Sequence, residues 1–192
     1  MLRTVRFLAV AVIATATVFP LKAASVIQPT FDELVTEARQ IILAETVSSR
    51  SALVSNAYGR FIETTVTFKV DSVIKGAFIR ERSLTFLGGQ VGDMVMEVSD
   101  MVQFKVGDRD VLFVNDADKP ISPIVGFNHG RFRVTRDNFV LTHDGQPLGI
   151  EASRSSRGPA RLFAAPMSQG VTLNGFIAHI RTTAIAAGVS LR

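Results

Sequence analysis

The stretch Thr65-Val66-Thr67-Phe68-Lys69-Val70-Asp71 decides the fold, because every second residue in it is apolar. A β-strand places Val66, Phe68 and Val70 on one face and the polar residues on the other. Valine and threonine also suit a pleated surface because they branch at Cβ. We therefore expect a strand here, with one face turned to a core and the other to solvent.

Similar patterns predict further strands on both sides of this stretch. The run 111–114 is apolar at every position, which is typical of a central strand that is buried on both faces. Residues 94–98 either pair with a neighbouring strand or form the rim of a loop, and the polar segment 48–60 is interpreted as a loop. The remaining strands are predicted at 41–47, 83–87, 130–135 and 139–142.

Two helices are predicted, one near each end of the chain. Thr30 and Glu33 have the spacing of a capping box just before an apolar stripe. The last element runs from Thr172 to Ala187, with Thr172 as its N-cap and Gly188 at the position after its C-cap. The predicted class is mainly β (α+β): a small antiparallel OB-like β-barrel or sandwich with one N-terminal and one C-terminal helix.

The N-terminus has the features of a bacterial Sec-type signal peptide. Arg3 and Arg6 precede a 13-residue apolar run, 7–19, and small residues near Ala23 and Ser25 offer a cleavage site. A membrane anchor needs about 20 apolar residues, so this run is too short for one. The protein is therefore expected to be secreted or periplasmic. The predicted organisation is a signal peptide at 1–23, a β-barrel domain at 24–150, a flexible linker at 151–170 and a C-terminal helix at 171–188.

Composition excludes several kinds of function. The chain has 192 residues and no cysteine, which excludes a disulfide scaffold, a thiol nucleophile and a cysteine-ligated metal. The formal net charge is +4, but the segment 24–149 is slightly acidic, so a nucleic-acid surface is not expected there. We expect no cofactor, no nucleic-acid partner and no membrane span after the leader is removed.

Several phrases of the sequence, taken in order, are similar to a known group. They are Val66 to Val70 followed by Val73-Ile74-Lys75-Gly76, then 88–92, 104–114, 124–126 and 130–134. This order resembles a group of uncharacterised secreted bacterial proteins, which in turn resemble the netrin/TIMP-like branch of OB-fold barrels. The resemblance covers about residues 30–150 and implies the barrel fold. TIMP-type inhibition uses an N-terminal cysteine, which this chain lacks, so the resemblance implies no inhibitory residue.

The three histidines do not have the spacing of a zinc motif. His129, His143 and His179 are far apart in sequence, and we interpret them as surface residues. If the fold brings His129 and His143 together with Asp144, a metal can bind there. The glycine-rich segment 88–93 lacks the Lys-Ser/Thr ending of a phosphate-binding loop and is interpreted as a flexible turn.

No catalytic constellation is recognised. The chain has no G-x-S-x-G motif. Two pairs of acids, 108 with 110 and 116 with 118, lie two residues apart at predicted strand ends, where acids are usually solvated. We therefore make no catalytic assignment.

Arginines form the candidate binding site. Arg131 and Arg133 alternate with apolar residues and should share one strand face, next to Arg136. Such a stripe can bind an anionic ligand or the acidic patch of an extracytoplasmic protein. The alternative is a solvated outer face that pairs with nearby acids.

The pattern as a whole favours an exported, non-enzymatic binding or accessory protein, inhibitor-like by fold analogy only. One alternative is an extracytoplasmic hydrolase with an acidic site, which needs a pocket with two carboxylates. The other is an envelope structural protein that assembles through strand edges.

Overall fold

The structure is a computed structural model that describes residues 28–57, 59–116, 121–151, 161–166 and 170–191. The predicted signal peptide and most of the predicted linker lie outside the described residues. The helices are α1 (Phe31–Glu37) and α2 (Leu173–Ala186), and a short 3-10 helix spans Phe127–Gly130. The described strands are β1 (Gln40–Asn56), β2 (Gly59–Lys75), β3 (Glu81–Leu87), β4 (Gly89–Val91), β5 (Met94–Met96), β6 (Arg109–Val114), β7 (Arg131–Val134), β8 (Val140–Leu141), β9 (Leu148–Glu151) and β10 (Arg161–Ala164).

The main sheet has six strands in the order β3-β2-β1-β6-β7-β8, and all neighbours are antiparallel. The mainly β class with a helix near each end is confirmed. The expected closed barrel is not seen in the described part of the chain. The order of strands is linear, and β3 and β8 form its two edges. The two small hairpins, β4–β5 and β9–β10, form separate two-stranded sheets.

Both faces of the sheet centre are buried, which confirms the interpretation of 111–114 as a central strand. On one face, Val111 and Phe113 pack with the apolar sides of α1 and α2, through residues such as Phe31 and Phe176. On the other face, the core residues come from β1, β2, β3, β6 and the segments before and after β6: Ile42, Ala44, Val66, Phe68, Leu84, Phe86, Val102, Leu112, Val114 and Ile124.

The predicted helix caps are present. The Thr30 backbone N–H donates to the Glu33 carboxylate (2.7 Å), and the Glu33 N–H donates to the Thr30 hydroxyl (3.2 Å). Thr172 caps α2 by accepting from the Gly175 N–H (3.3 Å). Gly188 has a φ of +67°, a left-handed conformation that favours glycine after a helix. Both helices therefore begin where the sequence predicts.

The prediction of a loop at 48–60 is wrong. β1 runs to Asn56 and β2 begins at Gly59, so these residues form the outer half of one long antiparallel hairpin. We call residues 47–57 and 59–66 the arm. The register shifts between Thr46 and Ser48, which leaves Val47 as an extra, exposed residue in β1. Such a bulge exchanges the faces that odd and even residues occupy.

The C-terminal third differs from expectation in one place. Residues 161–164, inside the predicted linker, form β10 and pair with β9.

The segment 88–96 also differs from expectation. The turn formed by Gly88 and Gly89 continues into the strand β4, and residues 94–96 pair with β4 rather than with β3.

No helix in the described ranges is long and apolar enough to cross a membrane.

Candidate functional site: a cleft between the arm and residues 95–104

A cleft of about 880 Å³ lies between the arm and a segment that passes over it. Its floor is formed by neighbouring positions on three strands, Ser51 and Thr64 in register with Phe86, together with Ser49 and Val66. Its roof is the segment 95–104, which begins in β5 and continues beyond it. The volume lies within the range of known ligand sites.

The floor carries a compact polar group at its centre. The hydroxyls of Ser51 and Thr64 are 2.8 Å apart, and Thr64 donates to the Gly88 carbonyl (2.6 Å). Gly89 crosses so close to these hydroxyls that an added Cβ would lie 2.2 Å from Thr64 Oγ1. Its φ of +133° is also unfavourable for other residues. Glycine is therefore required at this crossing.

The rest of the lining is apolar and adaptable. Phe104 packs its ring edge against Phe68 (4.9 Å between ring centres) and at a tilt against Phe86 (5.3 Å), which anchors the roof in the core. Met96 and Met101 also line the cleft, and Met96 Sδ accepts from the Ile62 N–H (3.4 Å). Methionine side chains adapt to ligands of different shape, so this wall is suited to varied apolar groups.

Arg131 holds the end of the roof. Its guanidinium donates to the Gln103 carbonyl (2.5 Å) and lies over the Phe104 ring (4.5 Å to the ring centre). It also makes two bonds to Asp110 (2.8 and 3.0 Å) and one to Asp108 (2.8 Å). These contacts join β7 and β6 to the segment that covers the cleft.

The acids around Arg131 form a buried network. Asp110 is fully buried. Burial raises the pKa of the Asp110 carboxyl, and the hydrogen bonds and charge of Arg131 oppose that rise. Arg133 reaches the same Asp108 carboxylate at 3.6 Å. The sequence pattern predicted that Asp108 and Asp110 are solvated. They are instead paired with arginines of the neighbouring strand β7, which supplies their counter-charge.

The predicted arginine stripe is divided by burial. Arg131 and Arg133 do share a strand face, since they are two residues apart in β7 and both reach Asp108. The side chain of Arg131 is only 8% exposed, so its guanidinium is committed to the network and is not offered to a ligand. Arg133 is 44% exposed and Arg136 is exposed. Anion binding by Arg133 and Arg136 stays a prediction.

One edge of the arm has no neighbouring strand in the described part of the chain. β6 pairs with β1 only over residues 40–45, and Thr46 exchanges hydrogen bonds with Gly107 and Asp108 (2.9 and 2.8 Å). Beyond that point, β1 pairs with β2 alone. In an antiparallel ladder every second residue directs its N–H and C=O away from the partner strand. Residues 47–55 therefore present backbone donors and acceptors along an edge, which we call the open edge, beside the Ser49 and Ser51 side of the cleft.

The histidines are not all at the surface. His129 and His143 lie side by side, with ring centres 4.8 Å apart. The ring of His179 stacks on Phe31 between the two helices (4.9 Å, 18°), and its Nε2 is buried. Burial lowers the pKa of His179, and the nearby charge of Asp32 partly opposes this.

Sequence reasoning missed Ser49, Ser51 and Thr64 as site residues. The available signal was the spacing of the two serines, which places them on one face of a strand, but this signal needs 48–60 to be recognised as a strand. Comparisons with protein-family models, with curated proteins and with solved structures find no match to the chain.

Proposed function

We propose that the protein is an exported binding protein that holds an extended polypeptide segment of another extracytoplasmic protein in the cleft. The observation that carries this proposal is the position of the open edge at the side of the cleft. An extended segment can add to such an edge through main-chain hydrogen bonds while its side chains enter a neighbouring pocket. The predicted signal peptide supports export.

The cleft lining favours an uncharged part of such a segment. Hydroxyls on the floor can accept from peptide or amide N–H groups, and the aromatic and methionine side chains can cover an apolar side chain. The carboxylates in the lining, Glu97 and Asp100, are both exposed. An acid-based hydrolase needs two carboxylates enclosed together, so the lining favours binding over this alternative.

A display selection tests the proposal. Random peptides are selected on the immobilised protein, and their affinity is then measured for the wild type and for Ser49→Phe, which fills the cleft mouth from an exposed position. Loss of a side-chain pocket should weaken binding by at least tenfold, because a buried apolar anchor contributes about 2 kcal/mol or more. Ser83→Phe, exposed on β3 and outside both the cleft and the open edge, is the matched control and should bind as the wild type does.

Two results would overturn the proposal. The selection can return no enriched peptide, or it can return peptides that bind both variants equally. Light scattering on the free protein distinguishes the proposed binding protein from the remaining alternative, an envelope structural protein that assembles with copies of itself. A concentration-dependent dimer or polymer that Ser49→Phe leaves intact would mean that the edge joins copies of this chain instead of binding a foreign segment.

A further inference from the structure

Two histidines that are distant in sequence are held beside each other by two tight turns. His129 lies in the 3-10 helix, which begins after Gly126, a residue with a φ of +63°. An added Cβ on Gly126 would lie 2.5 Å from Pro29 Cγ, so this turn packs closely against Pro29, just before α1. His143 lies in a turn closed by the hydrogen bond from the Thr142 N–H to the Gln146 carbonyl (2.8 Å).

The separation of the two rings is compatible with two ligands on one metal ion. The ring centres are 4.8 Å apart, and the ring planes are inclined at 72°. With metal–nitrogen bonds of about 2.0–2.1 Å, two imidazoles at right-angled or tetrahedral positions on one ion have ring centres roughly 4.5–5.2 Å apart. The observed separation lies inside this interval.

We propose that His129 and His143 form a two-histidine site for a divalent transition metal ion, with Cu²⁺ preferred over Ni²⁺ and Zn²⁺. This preference follows the usual order of affinity of nitrogen ligands for these ions. The described residues hold no cluster of three or more histidines or acids around one point, so water or donor atoms of a bound molecule complete the coordination. This site is independent of the cleft and its proposed ligand.

His129 is half-buried, and two carboxylates lie near the pair. Burial lowers the pKa of His129, the neighbouring His143 lowers it further, and Asp100 opposes both effects. Asp144 lies next to His143 and accepts a hydrogen bond from Thr142. Protons compete with a metal ion for a ring nitrogen, so the affinity for Cu²⁺ should fall as the pH is lowered.

Nitrogen-15 NMR of the histidine rings tests the proposal directly, because the chain has only three histidines. The protein is prepared without a histidine tag and titrated with Zn²⁺, which is diamagnetic. We expect the ring nitrogens of His129 and His143 to shift together at one equivalent while those of His179 stay unchanged. Calorimetry with Cu²⁺ should give tighter one-to-one binding.

Matched substitutions separate this site from others. His129→Gln and His143→Gln should each weaken Cu²⁺ binding by at least tenfold, since either change removes one of two protein ligands. His179→Gln, the same change at the remaining histidine, should leave the affinity unaltered. The proposal is overturned if Zn²⁺ shifts neither ring, which would mean a simple edge-to-face ring contact, or if the Cu²⁺ affinity survives both substitutions in a protein whose circular dichroism is unchanged.

Discussion

At the scale of single residues, Arg131 shows what local patterning predicts and what it misses. The alternation in β7 predicts that Arg131 and Arg133 share a face, and the structure confirms it. The alternation does not predict that Arg131 is buried on this face. Gln103 and Phe104 cover its guanidinium, and the counter-charge comes from Asp110 of β6. Contacts of this kind join residues that are more than 20 positions apart, and a local pattern carries no information about them.

Replacing Arg131 should therefore destabilise the protein rather than remove a ligand contact. Arg131→Met leaves the buried Asp110 carboxylate without its counter-charge, which costs about 3–5 kcal/mol in the free energy of unfolding. It also removes the group that lowers the pKa of Asp110. A carboxyl whose folded-state pKa is raised stabilises the fold at low pH, and that contribution is lost as the pH rises. The deficit relative to the wild type should be smaller at pH 5 than at pH 7.

Urea unfolding of the single and double variants measures this effect. The double variant Asp110→Asn with Arg131→Met should recover part of the lost stability, because no buried charge is then left unpaired. An equal deficit in the single and double variants, or a deficit that does not change between the two pH values, would contradict this account of the network.

Replacing Gly89, which crosses close to Ser51 and Thr64, should also destabilise the protein. Gly89→Ala should lower the free energy of unfolding by about 1–3 kcal/mol from backbone strain alone. The contact of the new Cβ with the hydroxyls of Thr64 and Ser51 should add to that loss. Gly59→Ala is the matched control, since its φ is +124° but an added Cβ meets nothing within 4 Å. Equal losses in thermal unfolding would mean that the close crossing at Gly89 is unimportant.

At the scale of elements, the arm is the part whose strands could not be predicted from the sequence pattern. The inner halves of β1 and β2 pack between core layers and show apolar runs or alternation, whereas residues 48–60 are mostly polar. The outer halves stand against the small β4–β5 hairpin instead of a core layer, so few of their positions need to be apolar. The helices were easier to predict, because their caps depend on residues only three positions apart.

The contact between α1 and α2 should respond to acid through His179. Burial lowers the pKa of His179, so the unfolded chain binds its proton more readily than the folded chain does. This contribution to stability is complete above the ordinary histidine pKa and is lost as the pH falls through and below it. His179→Phe keeps a ring against Phe31 and removes the proton. Between pH 7.5 and 5, the free energy of unfolding measured in urea should fall less for the variant than for the wild type. An identical fall in both proteins would mean that His179 is not the acid-sensitive group.

At the scale of the whole molecule, the class of fold could be predicted and its closure could not. Stretches such as 65–71 and 111–114 reveal their faces locally, and they establish an antiparallel, mainly β protein with two helices. Whether such strands close into a barrel depends on which edges meet, and that is decided by pairings distant in sequence. The cleft has the same origin, because its floor and its roof belong to segments that only the complete fold brings together.

The central claim is that an extended segment binds along the open edge of the arm, and amide hydrogen exchange of the protein with and without a selected peptide tests it most directly. In the free protein, alternate amides of residues 47–55, those directed away from β2, should exchange quickly. The account predicts that the peptide slows exchange at these alternate positions and leaves the amides that face β2 nearly unchanged. Uniform protection of the arm, or protection confined to other strands while these amides stay fast, would contradict it.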